Sequence, residues 1–476
     1  MRSKVTRPVL AAAAVFGLVI GSAQTLPQSD AVAAAPDTTG SAGIGDPYFP
    51  NYGNGGYRVG HYDVRVAFQP KTERLHGVTT IKARATQPLT RFNLDLMLSA
   101  SKVKVNGHRA RFRHRGHELR VWPAHRIRKG EHMRVKVVYA GVPKNQRDHG
   151  IRPWITTSDG AVALGQPEIA AWWFPSNDHP RDKASFDLRI TVPRGHQAIS
   201  NGRLIGVHRT HAKSTWHWRM PKPMATYLAF AAMGHYDIMR GKTRSGRPYL
   251  YAVSKTLNKK VQRHSRKAMR KTAAATEFLT KTWGRYPFGQ IGGVVPSGNF
   301  GYALENQTRP VYDSVWFQFA PVSSVIVHEM AHQWFGDAVS LRRWQDIWLN
   351  EGFATYSEWL WAAHNGGDSA NKRFHRHYRR AGPHSSFWDL RIGDPGPHRI
   401  FANPVYVRGA MTAHALRLRV GSKDFFRIAR RWVQHNADGV GSTPEFKRLA
   451  ERVSGEQLDG FFHAWLFSKD RPPLPH

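Results

Sequence analysis

A pair of histidines four residues apart is the first feature of this sequence that could do chemistry. Residues 328–332 read H-E-M-A-H, with His328 and His332 flanking Glu329. On a helix, side chains at positions i and i+4 lie on one face about one turn apart, so the two imidazoles can bind one metal ion. Glu329 lies beside that face, where a carboxylate can act as general base on a water molecule. The motif therefore predicts a hydrolytic metal centre on a helix.

Glu351 is the expected third ligand. Eighteen residues separate it from His332, and it lies in the run N-E-G-F-A within a second helical, tryptophan-rich pattern. The chain has 0 cysteines, so histidines and carboxylates must hold any metal. A chance motif among 26 histidines is the alternative, but a glutamate in an apolar helix needs a partner such as a metal ion. Two histidines and one glutamate leave a position open, as in catalytic zinc sites. We expect one Zn²⁺ per chain, bound by His328, His332 and Glu351.

The expected ligands fall in a helical half of the sequence. After about residue 241, apolar residues recur with a helical period. The predicted helices occupy 258–283, 321–335, 346–364, 406–420, 424–436, 443–453 and 458–467. The second and third of them carry the H-E-x-x-H motif and Glu351, so these two helices must pack together to form the site.

The preceding half of the chain has the pattern of β-strands. Short alternating segments run from about residue 57 to 239, for example 61–68 and 185–192, and glycines and prolines separate them. Arginine and lysine occupy the solvent-facing positions of the alternation. The sequence therefore predicts an α+β chain, with a sandwich or saddle-like β-sheet domain at 57–240 and a mostly helical domain at 241–476.

The first 35 residues are typical of a secretory signal peptide. Arg2, Lys4 and Arg7 precede an apolar run at 9–20 that is short for a membrane span, and small residues follow it. An uncleaved anchor is the alternative. Residues 36–56 are rich in Gly, Pro, Ser and Asp and predict a flexible leader. We expect a secreted protein, extracellular or cell-wall associated, with no transmembrane segment in its mature form.

Several motifs in order resemble one known family. H-E-x-x-H with Glu351 at this spacing is similar to the gluzincin aminopeptidases of the aminopeptidase N and leukotriene A4 hydrolase family. Residues 302–306, Y-A-L-E-N, resemble the family's G-x-M-E-N motif, and 406–410, Y-V-R-G-A, its Y-x-K-G-A motif. The segments 166–168 (Q-P-E) and 223–228 (P-M-A-T-Y-L) resemble parts of its N-terminal β domain. The resemblance runs from about residue 57 to about 420.

The resemblance implies a fold and a reaction. It implies a saddle-like β domain followed by a thermolysin-like catalytic domain that removes N-terminal residues from peptides with a free N-terminus. Glu305 is expected to bind the substrate's α-amino group, with Glu168 assisting and Gln166 nearby. Ala303 is expected to lie along the substrate backbone. Tyr406 is expected to donate its hydroxyl to the developing oxyanion, while Glu329 moves the proton.

The sequence also departs from the family pattern. Tyr302 stands in place of a glycine, Leu304 in place of a methionine and Arg408 in place of a lysine. About 55 residues follow the matched region, so the chain looks like a secreted bacterial short form without the long C-terminal helical domain. A more open cleft and the Tyr302 change leave a zinc endopeptidase as an alternative activity. Epoxide hydrolysis, known in one branch of the family, has no further support in the sequence.

The charge of the chain suggests a non-enzymatic alternative. Lys and Arg number 70 against 33 Asp and Glu, a formal net charge of +37. Such a chain could be a non-catalytic cationic cell-surface binding protein, with anionic cell-wall polymers as partners. No nucleic-acid motif and no aromatic-interleaved strand platform accompany the charge, so we expect no nucleic acid partner.

Overall fold

The computed structural model of this protein describes residues 38–148 and 153–475. The predicted signal peptide at 1–35 lies outside the described residues. Within the described ranges, no helix combines the length and the apolar character that crossing a bilayer requires.

Short strands build the first half of the described chain, as the alternating pattern predicts. In chain order they are β1 (Tyr57–Gln69), β2 (Arg74–Ala85), β3 (Phe92–Asp95), β4 (Ser99–Val105), β5 (His108–Arg109), β6 (Arg111–Arg115), β7 (Glu118–Trp122), β8 (His132–Gly141), β9 (Trp154–Thr156), β10 (Ala161–Ala163), β11 (Ala184–Pro193), β12 (Gln197–Ser200), β13 (Arg203–Arg209), β14 (Lys213–Met224) and β15 (Ala231–Gly234).

One large sheet organises this half. Its eight strands run in the order β13-β14-β11-β1-β2-β8-β4-β5, with β1 parallel to β11 and antiparallel to β2. Burial alternates along the strands: in β11, Phe186, Leu188 and Ile190 face the core while Asp187 and Arg189 are partly exposed. Because successive side chains of a strand point to opposite faces, this alternation gives the sheet one apolar and one polar face.

A smaller sheet and the helices form the second half. Its strands are β16 (Tyr236–Lys242), β17 (Pro248–Ser254), β18 (Ile291–Val295), β19 (Ala303–Leu304), β20 (Val311–Tyr312), β21 (Val339–Leu341) and β22 (Gly439–Gly441). Its helices are α1 (Lys259–Met269), α2 (Thr272–Trp283), α3 (Ser324–Ala331), α4 (Trp348–His364), α5 (Ala370–Arg380), α6 (Asn403–Asn436), α7 (Thr443–Ser454) and α8 (Asp459–Phe462). The first five of these strands form a sheet in the order β16-β17-β18-β20-β19. The α+β fold, strand-rich first and helical second, confirms the expectation from the sequence.

Several helix boundaries differ from the prediction. The predicted helix at 258–283 is divided into α1 and α2, whereas the two predicted at 406–420 and 424–436 form the single element α6, which bends at Gly421 (φ 78°). Helix α5 was not predicted, because its buried contacts come only from Ala370, Phe374 and Tyr378 in an otherwise charged segment. The periodicity of apolar residues does not show whether two helical segments join through a bend at a glycine, as in α6. It also does not reveal a helix such as α5, whose apolar stripe is narrow.

The segment at 38–56 is packed rather than a free leader. The sequence predicted flexibility over 36–56, but Tyr52 is buried and Asp46 is almost fully buried. The Asp46 carboxylate lies 3.0 Å from Nε2 of His179 and accepts a hydrogen bond from the backbone N–H of Trp344 at 2.9 Å. A Gly- and Pro-rich composition predicts a mobile chain, whereas here a single buried carboxylate ties the segment to residues of both halves.

Candidate metal centre and active site

Helices α3 and α4 place the three expected metal ligands. His328 lies in α3, His332 directly follows its last residue, and Glu351 lies in the first turn of α4. Both helices are apolar: Ile326, Val327 and Met330 of α3 are fully buried, and so are Trp348, Phe353 and Tyr356 of α4. Burying these apolar faces brings the polar residues between them inside the domain.

The three side chains converge on one point. Oε2 of Glu351 lies 3.2 Å from Nε2 of His328 and 3.4 Å from Nε2 of His332. The ligand atoms of the three residues all lie within 4.8 Å of one another. Two imidazole nitrogens and one carboxylate oxygen are the donor set of a catalytic zinc site, so these residues fit the metal that the sequence predicts.

The outward nitrogens of both histidines are also engaged. Nδ1 of His328 lies 2.8 Å from Oε1 of Glu358, and Nδ1 of His332 lies 3.0 Å from the carbonyl oxygen of Phe335. A carboxylate and a carbonyl can only accept, so each Nδ1 donates and each Nε2 is left for the metal. Sequence reasoning missed Glu358. The signal was its position seven residues after Glu351 on the same helix, which places it two turns along the same face.

The electrostatics of the three ligands suit a cation. Burial raises the pKa of Glu351, but the two neighbouring histidines outweigh burial and lower that pKa to about 2. Burial lowers the pKa of His332, yet the carboxylates of Glu351 and Glu305 outweigh it and raise that pKa to about 9. The site therefore keeps Glu351 negatively charged. It also favours a positive charge in the space between the three side chains.

Glu329 lies in the same buried cluster without being one of the three ligands. Desolvation raises its pKa to about 8, although the two adjacent histidines act in the opposite direction. The carboxyl can therefore hold a proton close to neutral pH, which is what a group that both accepts and returns a proton requires.

Glu305 lies next to this centre and is held by two donors. Its Oε1 accepts hydrogen bonds from Nε2 of Gln166 and from the hydroxyl of Tyr227, each at 3.1 Å. One of its carboxylate oxygens lies within 4.8 Å of a ligand atom of Glu329 and one of His332. Burial raises the pKa of Glu305, and only 2% of its surface is exposed. A buried carboxylate so placed can bind a cationic group beside the metal centre.

Glu168 contacts a different set of residues. It is buried, its carboxyl hydrogen-bonds with Tyr52, and burial and the nearby Asp178 raise its pKa. Glu168 is also not among the residues that line the cavity over the metal ligands. The structure therefore joins Gln166 to Glu305 as the sequence suggests, but it does not bring Glu168 to the same surface.

A cavity of about 430 Å³ opens over the metal ligands. Besides the ligands, its lining includes Gln166, Tyr302, Ala303, Glu305, Trp316, Ser324, Val325, Glu329, Thr355, Glu358 and Tyr406. The ring of Tyr406 stacks near that of His328, with centroids 6.0 Å apart. Burial and the surrounding carboxylates raise the pKa of Tyr406 well above its ordinary value, so its hydroxyl stays protonated and can donate. Two larger cavities, of about 730 and 680 Å³, lie away from these residues.

Two departures from the family motifs have a structural explanation. The hydroxyl of Tyr302, the residue before β19, donates to the carbonyl of Leu164, the residue after β10, at 3.3 Å. Arg408 is fully buried and donates to five backbone carbonyls, those of Trp388, Leu390, Ala464, Trp465 and Ser468. Arg408 therefore ties α6 to the C-terminal segment and does not belong to the site.

Comparisons with known proteins agree with this geometry. The chain is 27% identical to the leucyl aminopeptidase of Saccharolobus solfataricus over 457 residues, which is 87% of this chain and 54% of that protein. It is 25% identical to the glutamyl aminopeptidase of Mus musculus over 335 residues, 64% of this chain and 35% of that protein. The chain thus spans about half the length, or less, of these curated relatives.

Solved structures match over nearly their full length. The crystal structure of an M1 zinc metallopeptidase from Deinococcus radiodurans shares 28% identity and a TM-score of 0.80, covering 91% of this chain and 99% of that chain. A variant of that enzyme bound to a Tyr-Ser-Ala substrate matches with a TM-score of 0.81, 28% identity and the same coverage.

Family models match both halves of the chain. Residues 59–228 match the model described as the peptidase M1 N-terminal domain, and residues 299–465 match the peptidase family M1 domain. The second match includes the three candidate metal ligands, Glu305, Glu329 and Tyr406. Since the two domains of one family occur here in order, around a site whose donor set fits zinc, this chain belongs to peptidase family M1.

Proposed function

We propose that this protein is a zinc aminopeptidase that removes N-terminal residues from peptides. The observation that carries the proposal is the position of Glu305, whose carboxylate lies within 4.8 Å of ligand atoms of Glu329 and His332. An α-amino group bound there leaves room for only one residue before the metal centre, so the first peptide bond becomes the scissile bond. The M1 enzyme from Deinococcus radiodurans that was solved with a tripeptide substrate supports this proposal.

His328, His332 and Glu351 would hold the zinc ion. Zinc bound there would supply Lewis acidity, which activates water and polarises the scissile carbonyl. Glu329 takes a proton from the attacking water onto a carboxylate oxygen and returns it to the leaving amine. Its buried position, which raises its pKa to about 8, favours this exchange near neutral pH.

Glu305 and its neighbours bind the substrate's N-terminus in this proposal. The ammonium donates to the Glu305 carboxylate, while Gln166 and Tyr227 hold that carboxylate in place. Glu168 contacts Tyr52 instead, so we propose that it assists only indirectly. Sequence reasoning gave Tyr227 no role, and the run 223–228 that contains it was the available signal.

Ala303 and Tyr406 complete the proposed site. β19, which contains Ala303, is the last strand in the order of its sheet among the described residues, so a free edge faces the cavity that Ala303 lines. An extended peptide can add to such an edge by backbone hydrogen bonds. The protonated hydroxyl of Tyr406 donates to the oxyanion that forms at the scissile carbonyl.

A pair of peptides tests the proposal. We expect the wild type to cleave a peptide with a free N-terminus and to leave its N-acetylated form uncut. Glu305→Gln should lose cleavage of the free peptide while keeping its zinc content, measured by atomic emission. Glu329→Gln is the control, because it should also keep zinc but lose turnover by removing the proton carrier. Equal cleavage of the two peptides by the wild type would instead favour the endopeptidase alternative.

We also propose that the chain is exported through residues 1–35. The charged start and short apolar run at 9–20 support export. N-terminal sequencing of protein recovered from the medium of an expressing bacterium should find a mature start between about residues 22 and 36. Recovery of only the uncleaved chain in the membrane fraction would show that the segment is an anchor.

A further inference from the structure

The outward face of the large sheet carries cations directly opposite one another. In the register of the strands, Lys82 of β2 lies opposite Arg134 of β8. Arg84 of β2 lies opposite Arg58 of β1 on one side and His132 of β8 on the other. Opposite residues point to the same face, with Cβ atoms about 4.5–5.5 Å apart. Two rows of positive groups therefore cross three neighbouring strands.

A third row continues onto the edge of the sheet. Lys136 of β8 lies opposite Lys104 of β4, and Lys104 lies opposite Arg109 of β5. Lys136 and Arg109 are exposed and Lys104 is partly exposed. The positive surface thus extends from β1 across four further strands.

These cations are not neutralised within the protein. Among the described residues, none of Lys82, Arg84, Arg134 and Lys136 forms an ion pair. The nearest acidic side chains on this face, Asp63 and Asp187, already pair with other residues. Asp63 pairs with Arg65 and Arg189, and Asp187 pairs with Arg219 and two histidines.

Placing cations opposite one another on neighbouring strands does not stabilise the folded sheet. Like charges directly opposite each other destabilise an antiparallel strand pair, and oppositely charged pairs stabilise it. A face that served only solubility would be expected to alternate the two signs, as Asp63 and Asp187 do with their arginine partners on the same face. An anion lying over the rows would relieve this repulsion between opposed cations.

The first two rows line a groove of about 680 Å³. Its lining consists of Arg58, Val59, Gly60, His61, Lys82, Ala83, Arg84, Asn106, His132, Met133 and Arg134. We name this feature the cationic groove. It contains no carboxylate, and it shares no residue with the lining of the candidate active site.

We propose that the cationic groove binds a linear polyanion, other than a nucleic acid, that carries phosphate groups along its length. Three of its cations are arginines, whose guanidinium fork matches phosphate oxygens in pairs. Single-stranded nucleic acid binds to aromatic platforms, and the groove is lined by no Phe, Tyr or Trp. The inference does not depend on peptidase activity.

Binding of the full chain to long-chain inorganic polyphosphate tests the inference. The variant Lys82→Gln, Arg84→Gln, Arg134→Gln removes three groove charges. The control Lys260→Gln, Arg263→Gln, Arg270→Gln removes one lysine and two arginines from exposed positions in and directly after α1, and so lowers the net charge equally. At about 0.15 M salt, the groove variant should bind at least about tenfold more weakly, and its salt slope should fall by about two to three. The control should bind like the wild type.

Other outcomes overturn the inference. Equal loss in the groove variant and the control would show that only net charge matters. Equal or stronger binding of polyglutamate, single-stranded DNA or anionic vesicles through the same three residues would refute the phosphate polymer as ligand. Thermal unfolding is the control for correct folding. Removing opposed like charges should leave the melting temperature of the groove variant unchanged or raised.

Discussion

Oε1 of Glu358 lies 2.8 Å from Nδ1 of His328, on the side of the ring that faces away from the other metal ligands. Glu358 and Glu351 project from the same helix, so α4 supplies both a proposed metal ligand and the group that orients a second one. A rotation or displacement of α4 would therefore affect two of the three metal contacts together.

Glu358→Gln should weaken zinc binding. The glutamine amide is uncharged, whereas the Glu358 carboxylate that fixes the His328 tautomer is negative. Loss of a hydrogen-bond partner of a metal-binding histidine reduces metal affinity about 10–100-fold. Competition against a chelator of known affinity measures the effect. Glu277→Gln, on α2 and outside the cavity lining, is the matched control. An unchanged zinc affinity in Glu358→Gln would show that the hydrogen bond does not support the metal.

Tyr406→Phe should lower kcat with little effect on KM. The hydroxyl is proposed to donate only to charge that develops in the transition state, and removal of one such donor costs about 10²–10³-fold in kcat. Steady-state kinetics on an unblocked amino-acid amide provide the measurement, with zinc content as the control. A rise in KM at unchanged kcat would instead assign Tyr406 to ground-state binding.

Gly352→Ala should destabilise the catalytic domain. A Cβ at Gly352 of α4 would lie 2.8 Å from the backbone of Gly409 in α6, closer than real Cβ contacts. The two helices must separate, which should lower the free energy of unfolding by about 1–3 kcal/mol. Tyr406 lies on α6 about one turn before Gly409, so this separation also affects the candidate site.

Gly460→Ala is the control for this prediction. Nothing lies within 4 Å of a Cβ at Gly460 of α8, so alanine there should be neutral or stabilise by up to about 1 kcal/mol. Urea unfolding of both variants measures the difference. Equal stability of Gly352→Ala and the wild type would mean that the helices adjust without loss.

His414 should make stability depend on pH. Burial and the positive charge of Arg417 lower its pKa to about 4, and its Nδ1 lies 3.0 Å from the hydroxyl of Tyr356. The ordinary histidine pKa is about 6.5, so between about pH 6.5 and pH 4 the unfolded chain binds more protons than the folded chain. The free energy of unfolding should therefore fall as pH is lowered through this window, by up to about 3 kcal/mol.

Urea unfolding at pH 7 and pH 4.5 measures the contribution of His414. His414→Gln should lose less stability than the wild type between these two pH values, because glutamine does not titrate. His435→Gln, at an exposed position of the same helix, should behave like the wild type. The same loss in His414→Gln as in the wild type would mean that other groups cause the pH dependence.

The site was predictable from the sequence where its residues share a helix or a motif. His328, Glu329 and His332 have fixed relative positions on any helix, and the spacing to Glu351 completed a recognisable donor set. Glu358 and Tyr227 were missed because neither has a local signal that separates it from an ordinary polar or core residue. The packed segment at 38–56 was missed because a single side chain such as Asp46 can override composition.

The sequence by itself predicted the candidate metal ligands, and it determined the order of a β-rich and a helical half and the positive sign of the surface. These follow from periodicity, residue type and charge, which do not depend on distant contacts. Only the tertiary structure decided that Gln166 reaches Glu305 across 139 positions, that Glu168 turns to Tyr52, and that Lys82 lies opposite Arg134. Packing and strand register set those distances, and the information in them is spread over the whole core rather than held in any one segment.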